Sequence, residues 1–211
     1  MDASEIRREY MQAGLDERDL AAEPIAQFSA WFQAALAAET RDPTAMTLAT
    51  ADVQGRPAAR IVLLKSFDER GFVFYTNYGS RKAHEIEANP HAALVFYWPE
   101  LDRQVRVEGR VGRVDPAESA AYFASRPVAS QLGAWASRQS EPIAGRAELE
   151  RSLAAAAERF AGAVPAPSFW GGYRLRHDRV ELWQGRPSRL HDRLVYRRGE
   201  DDRWTIERLQ P

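Results

Sequence analysis

The sequence has no cysteine, so it holds neither a disulfide framework nor a thiolate nucleophile, and its 4 histidines offer little to a His/Cys metal centre. It also lacks an excess of either charge. Lys+Arg 29 stand against Asp+Glu 30, for a net charge of -1, and without a basic field there is nothing to hold a nucleic acid. No run approaches the roughly 20 apolar residues of a membrane span, and the opening Met1-Asp-Ala-Ser-Glu-Ile-Arg-Arg-Glu-Tyr10 has no apolar signal region. A soluble, cytoplasmic protein with no nucleic-acid or membrane partner and no metal is expected. What is there is a chain of 211 residues, long enough to bury one full core. Its basic groups must act locally.

Ile25, Phe28, Phe32 and Leu36 recur at helical spacing behind Pro24, which predicts a packing helix from Pro24 to about Ala38. β-rich runs follow at Met46–Thr50, Ala58–Lys65 and Phe72–Thr76, separated by Gln54-Gly-Arg-Pro and Asp68-Glu-Arg-Gly turns, and read as an antiparallel meander. A short helix from Arg81 to Ala88 leads into strands at His91–Trp98 and Gln104–Val114. Pro116 opens a helix that Pro127 breaks, a second covers Ala129 to Trp135, and a longer Ala-rich one runs from Gly145 to Gly162. Strands return at Tyr173–Leu175, Val180–Trp183, Leu190–Arg197 and Trp204–Leu209. Six or more strands with helices gathered between them predict an α+β barrel.

Four segments carry chemistry. If Arg189 to Arg193 is extended, Arg189, His191 and Arg193 project from one face, and three basic groups there repel unless an anion sits among them. In Thr76-Asn-Tyr-Gly-Ser-Arg-Lys, Ser80 is a natural N-cap, which puts Arg81 and Lys82 at the wrong end of a helix dipole. A phosphate bound there removes the misfit; the alternative makes both residues surface partners of Glu85 or Glu87. Tyr122 and Arg126 share a helix face beside Ser130, again a donor set for phosphate. Arg60 and Lys65 bracket a hydrophobic strand and face opposite ways in regular geometry, so either one long ligand spans them or a bulge brings them together. Two separate anion sites among tryptophan and tyrosines imply two phosphorylated aromatic molecules, one cofactor and one substrate.

These segments carry a resemblance. Arg7-Arg-Glu-Tyr10, Asp42-Pro-Thr-Ala-Met, Arg60-Ile-Val-Leu-Leu-Lys65, Phe74-Tyr-Thr-Asn-Tyr-Gly-Ser-Arg-Lys-Ala83, Arg103-Gln-Val, Ser125-Arg-Pro with Ser130-Gln-Leu-Gly-Ala-Trp-Ala-Ser, Arg138-Gln-Ser140, Pro167-Ser-Phe-Trp-Gly-Gly-Tyr and Trp183-Gln-Gly with Arg189-Leu-His-Asp-Arg193 occur in order over nearly all of the chain. In that combination the chain resembles the pyridoxamine/pyridoxine 5′-phosphate oxidases, FMN-dependent enzymes of the split-barrel class. The resemblance implies an antiparallel, Greek-key-like split β-barrel with flanking helices over residues 23–211, preceded by a lid segment over 1–22. It also implies a homodimer with FMN in clefts at the subunit interface. FMN contacts would be Arg60, Ile61, Val62, Leu63, Leu64, Lys65, Tyr75, Thr76, Arg81, Lys82, Gln104, Gln139, Ser140, Trp183 and Arg193. Substrate contacts would be Lys65, Tyr122, Arg126 and Ser130 around the vitamin phosphate, Arg189 and His191 over the pyridine ring, and Arg7 and Tyr10 in the lid, with Arg189 and His191 the catalytic pair.

The implied reaction takes a hydride from the 4′ carbon of pyridoxamine or pyridoxine 5′-phosphate to FMN, giving pyridoxal 5′-phosphate directly or through an imine that water hydrolyses. Dioxygen then reoxidises the flavin and leaves as hydrogen peroxide. One departure stands out: Leu15-Asp-Glu-Arg-Asp replaces a more basic stretch found in some relatives. A flavin or deazaflavin reductase on the same barrel would have no use for Ser125-Arg-Pro and Arg189-Leu-His, and a pyridoxal phosphate carrier none for Arg81, Lys82 or Trp183.

Overall fold

Phe28, Trp31, Phe32 and Ala35 lie along one side of helix α1 (Pro24–Ala37) and are buried together. Their spacing makes one apolar stripe, and Phe28 seats that stripe in the sheet, with its ring 4.8 Å from Phe67, 4.9 Å from Phe72 and 5.0 Å from Phe96. The computed structural model describes residues 14–160 and 162–211; Arg7 and Tyr10 fall outside the described residues.

Among the described residues nine strands form one antiparallel sheet: β1 (Ala45–Ala51), β2 (Pro57–Leu63), β3 (Ser66–Asp68), β4 (Gly71–Asn77), β5 (His91–Trp98), β6 (Arg103–Arg113), β7 (Trp170–Gln184), β8 (Asp192–Arg198) and β9 (Trp204–Leu209). The order is β2-β1-β5-β6-β7-β4-β3, with β8 on β7 and β9 on β8. The expected meander therefore stops after β1 and β2. Leu64 N–H donates to Thr44 O and Lys65 N–H to Val73 O, so the chain leaves β2 at Leu63 and crosses to the far edge, where β4 pairs with β7. Lys65 stands in that crossing rather than in the strand, and the β1–β2 register runs unbroken from Ala45↔Leu63 to Ala51↔Pro57, with no bulge to join Arg60 to Lys65.

The two short strands expected at Tyr173–Leu175 and Val180–Trp183 are one 15-residue strand, β7. It continues through a bulge: the register passes from Glu108↔Arg179 to Gly109↔His177 and skips Asp178. A Cβ on Gly109 would sit 2.0 Å from Arg176 O, so glycine is required there. The bulge divides β7. Its first half pairs with β4 and its second with β8, while β6 runs along the opposite edge from Tyr173 to Gln184. The sheet splits there and curls around the apolar side chains of β1, β5, β6 and α1. Helices α2 (Arg81–Ala88), α3 (Pro116–Ser125), α4 (Val128–Ala136) and α5 (Arg146–Arg159) flank it, which completes the expected α+β half-barrel.

The extended run expected over Arg189–Arg193 is not formed. Pro187–Arg189 is a single 3-10 turn in which Ser188 (φ 57°) and Arg189 (φ 59°) are left-handed, and β8 begins only at Asp192. Pro187 presets the first position of a turn and cannot donate to a ladder, and this chemistry prevails over the strand pattern. Of the three basic residues only Arg193 is on the strand.

Candidate active site

A cavity of about 650 Å³ is lined by Ile61, Val62 and Leu63 of β2, Lys65, Tyr75 and Thr76 of β4, Lys82, Tyr122, Arg126, Ser130, Gln139 and Trp170, with Asn77, Pro127, Gly133, Ala134 and Ser137. Its floor is an aromatic stack. The Tyr75 ring lies 4.0 Å from Tyr122 and 5.4 Å from Trp170, both near parallel. Glycine makes room for it, since a Cβ on Gly172 would meet the Tyr75 ring at 2.8 Å and one on Gly171 the Tyr78 hydroxyl at 2.1 Å. Burial pushes the Tyr75 phenol up to about 12, so it stays neutral.

Arg126 caps α3 and is followed by Pro127. Its guanidinium lies 4.6 Å over Trp170 and 5.4 Å from Phe123. Nη1 is buried and has no hydrogen-bond partner, and burial lowers its pKa from the ordinary value. A buried N–H of a cation left unbonded costs free energy until an anion arrives. Ser130 stands in the first turn of α4, which has no side-chain cap, so the positive end of the helix dipole adds to the same place.

The second cationic group gathers at the start of α2. Lys82 turns inward: Nζ donates to Gln139 Oε1 (2.7 Å), Thr76 Oγ1 (3.1 Å) and Ser80 Oγ (3.3 Å). Burial and then the nearby Arg60 bring its pKa down to about 8. Arg81 instead makes the surface pair that the alternative reading expected, with Nε 2.8 Å from Glu85 Oε1, and its N–H donates to Ser140 Oγ (3.1 Å). Glu85, nearly buried, also takes Arg60 Nη2 (3.0 Å) and the Thr50 hydroxyl (2.5 Å). Burial works against its ionisation, but these donors outweigh it and hold the carboxyl below the usual range. Arg60, Arg81 and Lys82 against Glu85 leave two positive charges, a match for a phosphate dianion. Arg81 and Ser140 border a neighbouring cavity rather than the first one; Arg60 and Leu64 line neither.

The remaining expected contacts lie elsewhere. Gln104, Trp183 and Arg193 form one transverse row of the sheet, and the rings of Trp183 and His191 are 4.6 Å apart. His191 Nδ1 accepts the Arg186 N–H (3.0 Å), which assigns the proton of its neutral ring to Nε2. Burial and then Arg189 lower its pKa. Trp170 and Trp183 are at opposite ends of β7, roughly 40 Å of strand at about 3.3 Å per residue. The acidic segment at residues 15–19 neutralises what basic character is near: Arg208 is held by Glu17 Oε2 (2.7 Å) and Asp192 Oδ1 (2.8 Å).

Several lining groups were not singled out from sequence. Trp170, Asn77, Pro127 and Ser137 reach the cavity only through the fold. Of these, Pro127 is legible as a helix breaker, and Trp170 carries a signal of its own, an aromatic residue followed by two glycines in a strand.

Residues 32–160 match the profile of the family described as pyridoxamine 5′-phosphate oxidase, and residues 170–211 that of the pyridoxine 5′-phosphate oxidase C-terminal dimerisation region, which supports a homodimer. A pyridoxine/pyridoxamine 5′-phosphate oxidase of Rubrobacter xylanophilus is 63% identical over 211 residues, 100% of this chain and 97% of the relative. That of Burkholderia cenocepacia is 56% identical over 210 residues, 99% of this chain and 98% of the relative. Among solved structures, PhzG from Burkholderia lata in complex with tetrahydrophenazine-1-carboxylic acid superposes with a TM-score of 0.89 at 32% identity, over 95% of this chain and 99% of that one. A pyridoxamine 5′-phosphate oxidase-related, FMN-binding protein of Nostoc punctiforme shares the fold, with a TM-score of 0.72 at 22% identity over 91% of this chain and 100% of that one. With relatives more than half identical along their whole length, the chain belongs to the pyridoxamine 5′-phosphate oxidase family of enzymes.

Proposed function

We propose that the chain is an FMN-dependent oxidase that converts pyridoxamine 5′-phosphate and pyridoxine 5′-phosphate to pyridoxal 5′-phosphate. The observation that carries this reading is the unbonded, buried Arg126 Nη1 in a cavity it shares with Lys65, Tyr122 and Ser130. These are donors without a carboxylate partner at hand, set beside stacked aromatic rings, as a phosphorylated pyridine requires. The FMN phosphate is assigned to Arg60, Arg81 and Lys82, whose donor set and net charge fit it. When bound, FMN supplies the two-electron acceptor for the substrate's 4′ carbon and returns to its oxidised form with dioxygen, giving hydrogen peroxide. The protein's own residues anchor, orient and exclude water. Lys65, Tyr122, Arg126 and Ser130 fix one end of the substrate, so the ring can be presented in a near-attack geometry.

The far group needs a second copy. Arg189, His191, Trp183 and Arg193 stand at the other end of β7 from Trp170, and two protomers are proposed to complete each site. Exposed apolar side chains support an interface on this sheet: Ile61 is 64% exposed, Tyr97 49% and Leu63 44%.

The test is an absorbance spectrum with cofactor titration. The purified dimer should be yellow, and riboflavin should bind far more weakly than FMN, since the phosphate adds several charge-assisted hydrogen bonds of about 1.5–3 kcal/mol each. Equal affinity for the two would sink the reading.

Lys82 adds a pH dependence. Without ligand it loses its charge as pH rises through about 8, whereas a bound phosphate holds the proton on. FMN affinity should therefore be highest between about pH 6, below which the phosphate itself gains a proton, and about pH 8, above which Lys82 loses its charge. Fluorescence titrations from about pH 6.5 to 9.5 check this, and Lys82→Met should flatten the alkaline limb. A wild-type affinity unchanged across that limb would remove Lys82 from the phosphate site.

A further inference from the structure

Glu181 is 2% exposed, yet it lies on β7 in the middle of a charged lattice. Glu181 and Trp183 project from one face of the strand, as do Arg193 and Val195 of β8, and the register pairs Trp183 with Arg193 and Glu181 with Val195. Glu181 is thus the diagonal neighbour of Arg193, within reach of a long side chain. The contact is made. Arg193 Nε donates to Glu181 Oε1 at 2.9 Å, and Nη2 lies 2.8 Å from the same oxygen. The other oxygen, Oε2, accepts from Arg179 Nη2 at 2.6 Å and lies 3.6 Å from Arg106 Nη1. Arg179 and Arg106 are in turn both held by Glu108 Oε1, at 2.6 and 2.7 Å. Arg193 Nη1 donates to Gln210 O at 3.0 Å.

The arrangement is directional. One carboxylate oxygen is committed to Arg193, while the other is anchored to β6 and to β7 itself, so the Arg193 guanidinium cannot swing without breaking a bond to a fixed, buried base. Arginine has a long side chain with several rotamers, and holding it in one of them beforehand removes an ordering cost from ligand binding. Nothing in the reaction requires Glu181 to touch substrate or cofactor.

We propose that Glu181 is a positioning residue: it locks the Arg193 guanidinium beside Trp183 and Gln104 in the conformation that receives the flavin. The inference rests on the reading of Arg193 as a flavin contact.

The test is a double-substitution cycle on the reconstituted dimer, with FMN affinity measured by flavin fluorescence and the bound flavin's visible circular dichroism as a second readout. Glu181→Gln should weaken FMN about ten-fold or more and alter the dichroism. In an Arg193→Ala background the same change should cost almost nothing, because the group it positions is gone. Glu181→Asp, which keeps the charge but withdraws it by one methylene, should weaken FMN while dimer and melting temperature are retained; it carries the test if the glutamine variant does not fold. Equal losses in both backgrounds would mean that Glu181 acts through the sheet at large, and wild-type affinity in both Glu181 variants that Arg193 needs no brace; either overturns the proposal. Unchanged FMN affinity in Arg193→Ala alone would refute the flavin assignment of Arg193, and the proposal with it.

Discussion

Arg126→Ala is expected to lower catalytic efficiency with phosphorylated substrate by about two to four decades, the loss of ~3–6 kcal/mol in charged hydrogen bonds, while efficiency with unphosphorylated pyridoxine stays at its low wild-type level. The side chain should be dispensable for folding. The Arg126 N–H is satisfied by Phe123 O, its carbonyl by Gln131 Nε2 at 2.8 Å, and Pro127 ends the helix whatever stands before it. Its guanidinium lies over Trp170 and Phe123, with Nη1 buried and unbonded among the described residues. Removing an uncompensated buried cation should leave the melting temperature of the ligand-free protein unchanged or raise it, the usual relation between a binding site and stability. Steady-state kinetics with both forms of the vitamin, beside thermal melts without ligand, separate the cases. If the ratio between phosphorylated and free vitamin does not change, Arg126 does not hold the phosphate; if the ligand-free protein melts well below wild type, its role is structural.

Much of this site was legible because local chemistry wrote it. Arg126-Pro127 ends one helix and starts the next wherever it occurs, so Tyr122, Arg126 and Ser130 were bound to converge. Ser80 before Arg81 and Lys82 likewise marked a helix start with misplaced charge, although sequence could not divide their labour: Arg81 turns out to Glu85 while Lys82 turns in to Gln139. Charge patterns give the sign of a group but not all of its partners, and for that reason Glu85 is legible only as a surface partner of Arg81 or Lys82 and not of Arg60, and Glu181 has no legible role. The polar run Arg176-His177-Asp178 falls in the gap between two expected strands. It is a bulge inside one, where His177 is 2% exposed, its ring 5.3 Å from Trp204, and burial pushes its pKa down to about 4, so it is a neutral core residue. The meander failed for a related reason. Strand patterns report which face is buried, not which neighbour is chosen, and of the two partners of β4 one, β7, is more than ninety residues away.

The turn that carries Arg189 and His191 should divide its effects from those of Arg193. The three side chains do not share one strand face, and the observed geometry separates them more sharply. Arg193 is on the sheet, braced by Glu181 beside Trp183, whereas Arg189 is in a left-handed turn whose two non-glycine residues at positive φ each cost on the order of 1–3 kcal/mol. Strain of that kind persists where a side chain must be presented at one angle. Arg193→Ala should chiefly lower FMN occupancy. Arg189→Ala and His191→Ala should retain flavin and lose catalytic efficiency, through turnover if they act in the transition state and through the Michaelis constant alone if they merely bind. For His191 the structure sharpens the expectation. With Nδ1 engaged by the Arg186 N–H and the pKa lowered by burial, the ring offers substrate a donor at Nε2, not a base. His191→Gln, whose amide N–H reaches about as far as Nε2, should therefore keep most of the turnover that His191→Ala loses. Flavin titration and peroxide formation at saturating FMN, across these four variants, give the answer. A glutamine variant as impaired as the alanine one would make His191 a proton acceptor, and loss of FMN with full activity on resupply, in either turn variant, would assign the turn to the cofactor alone.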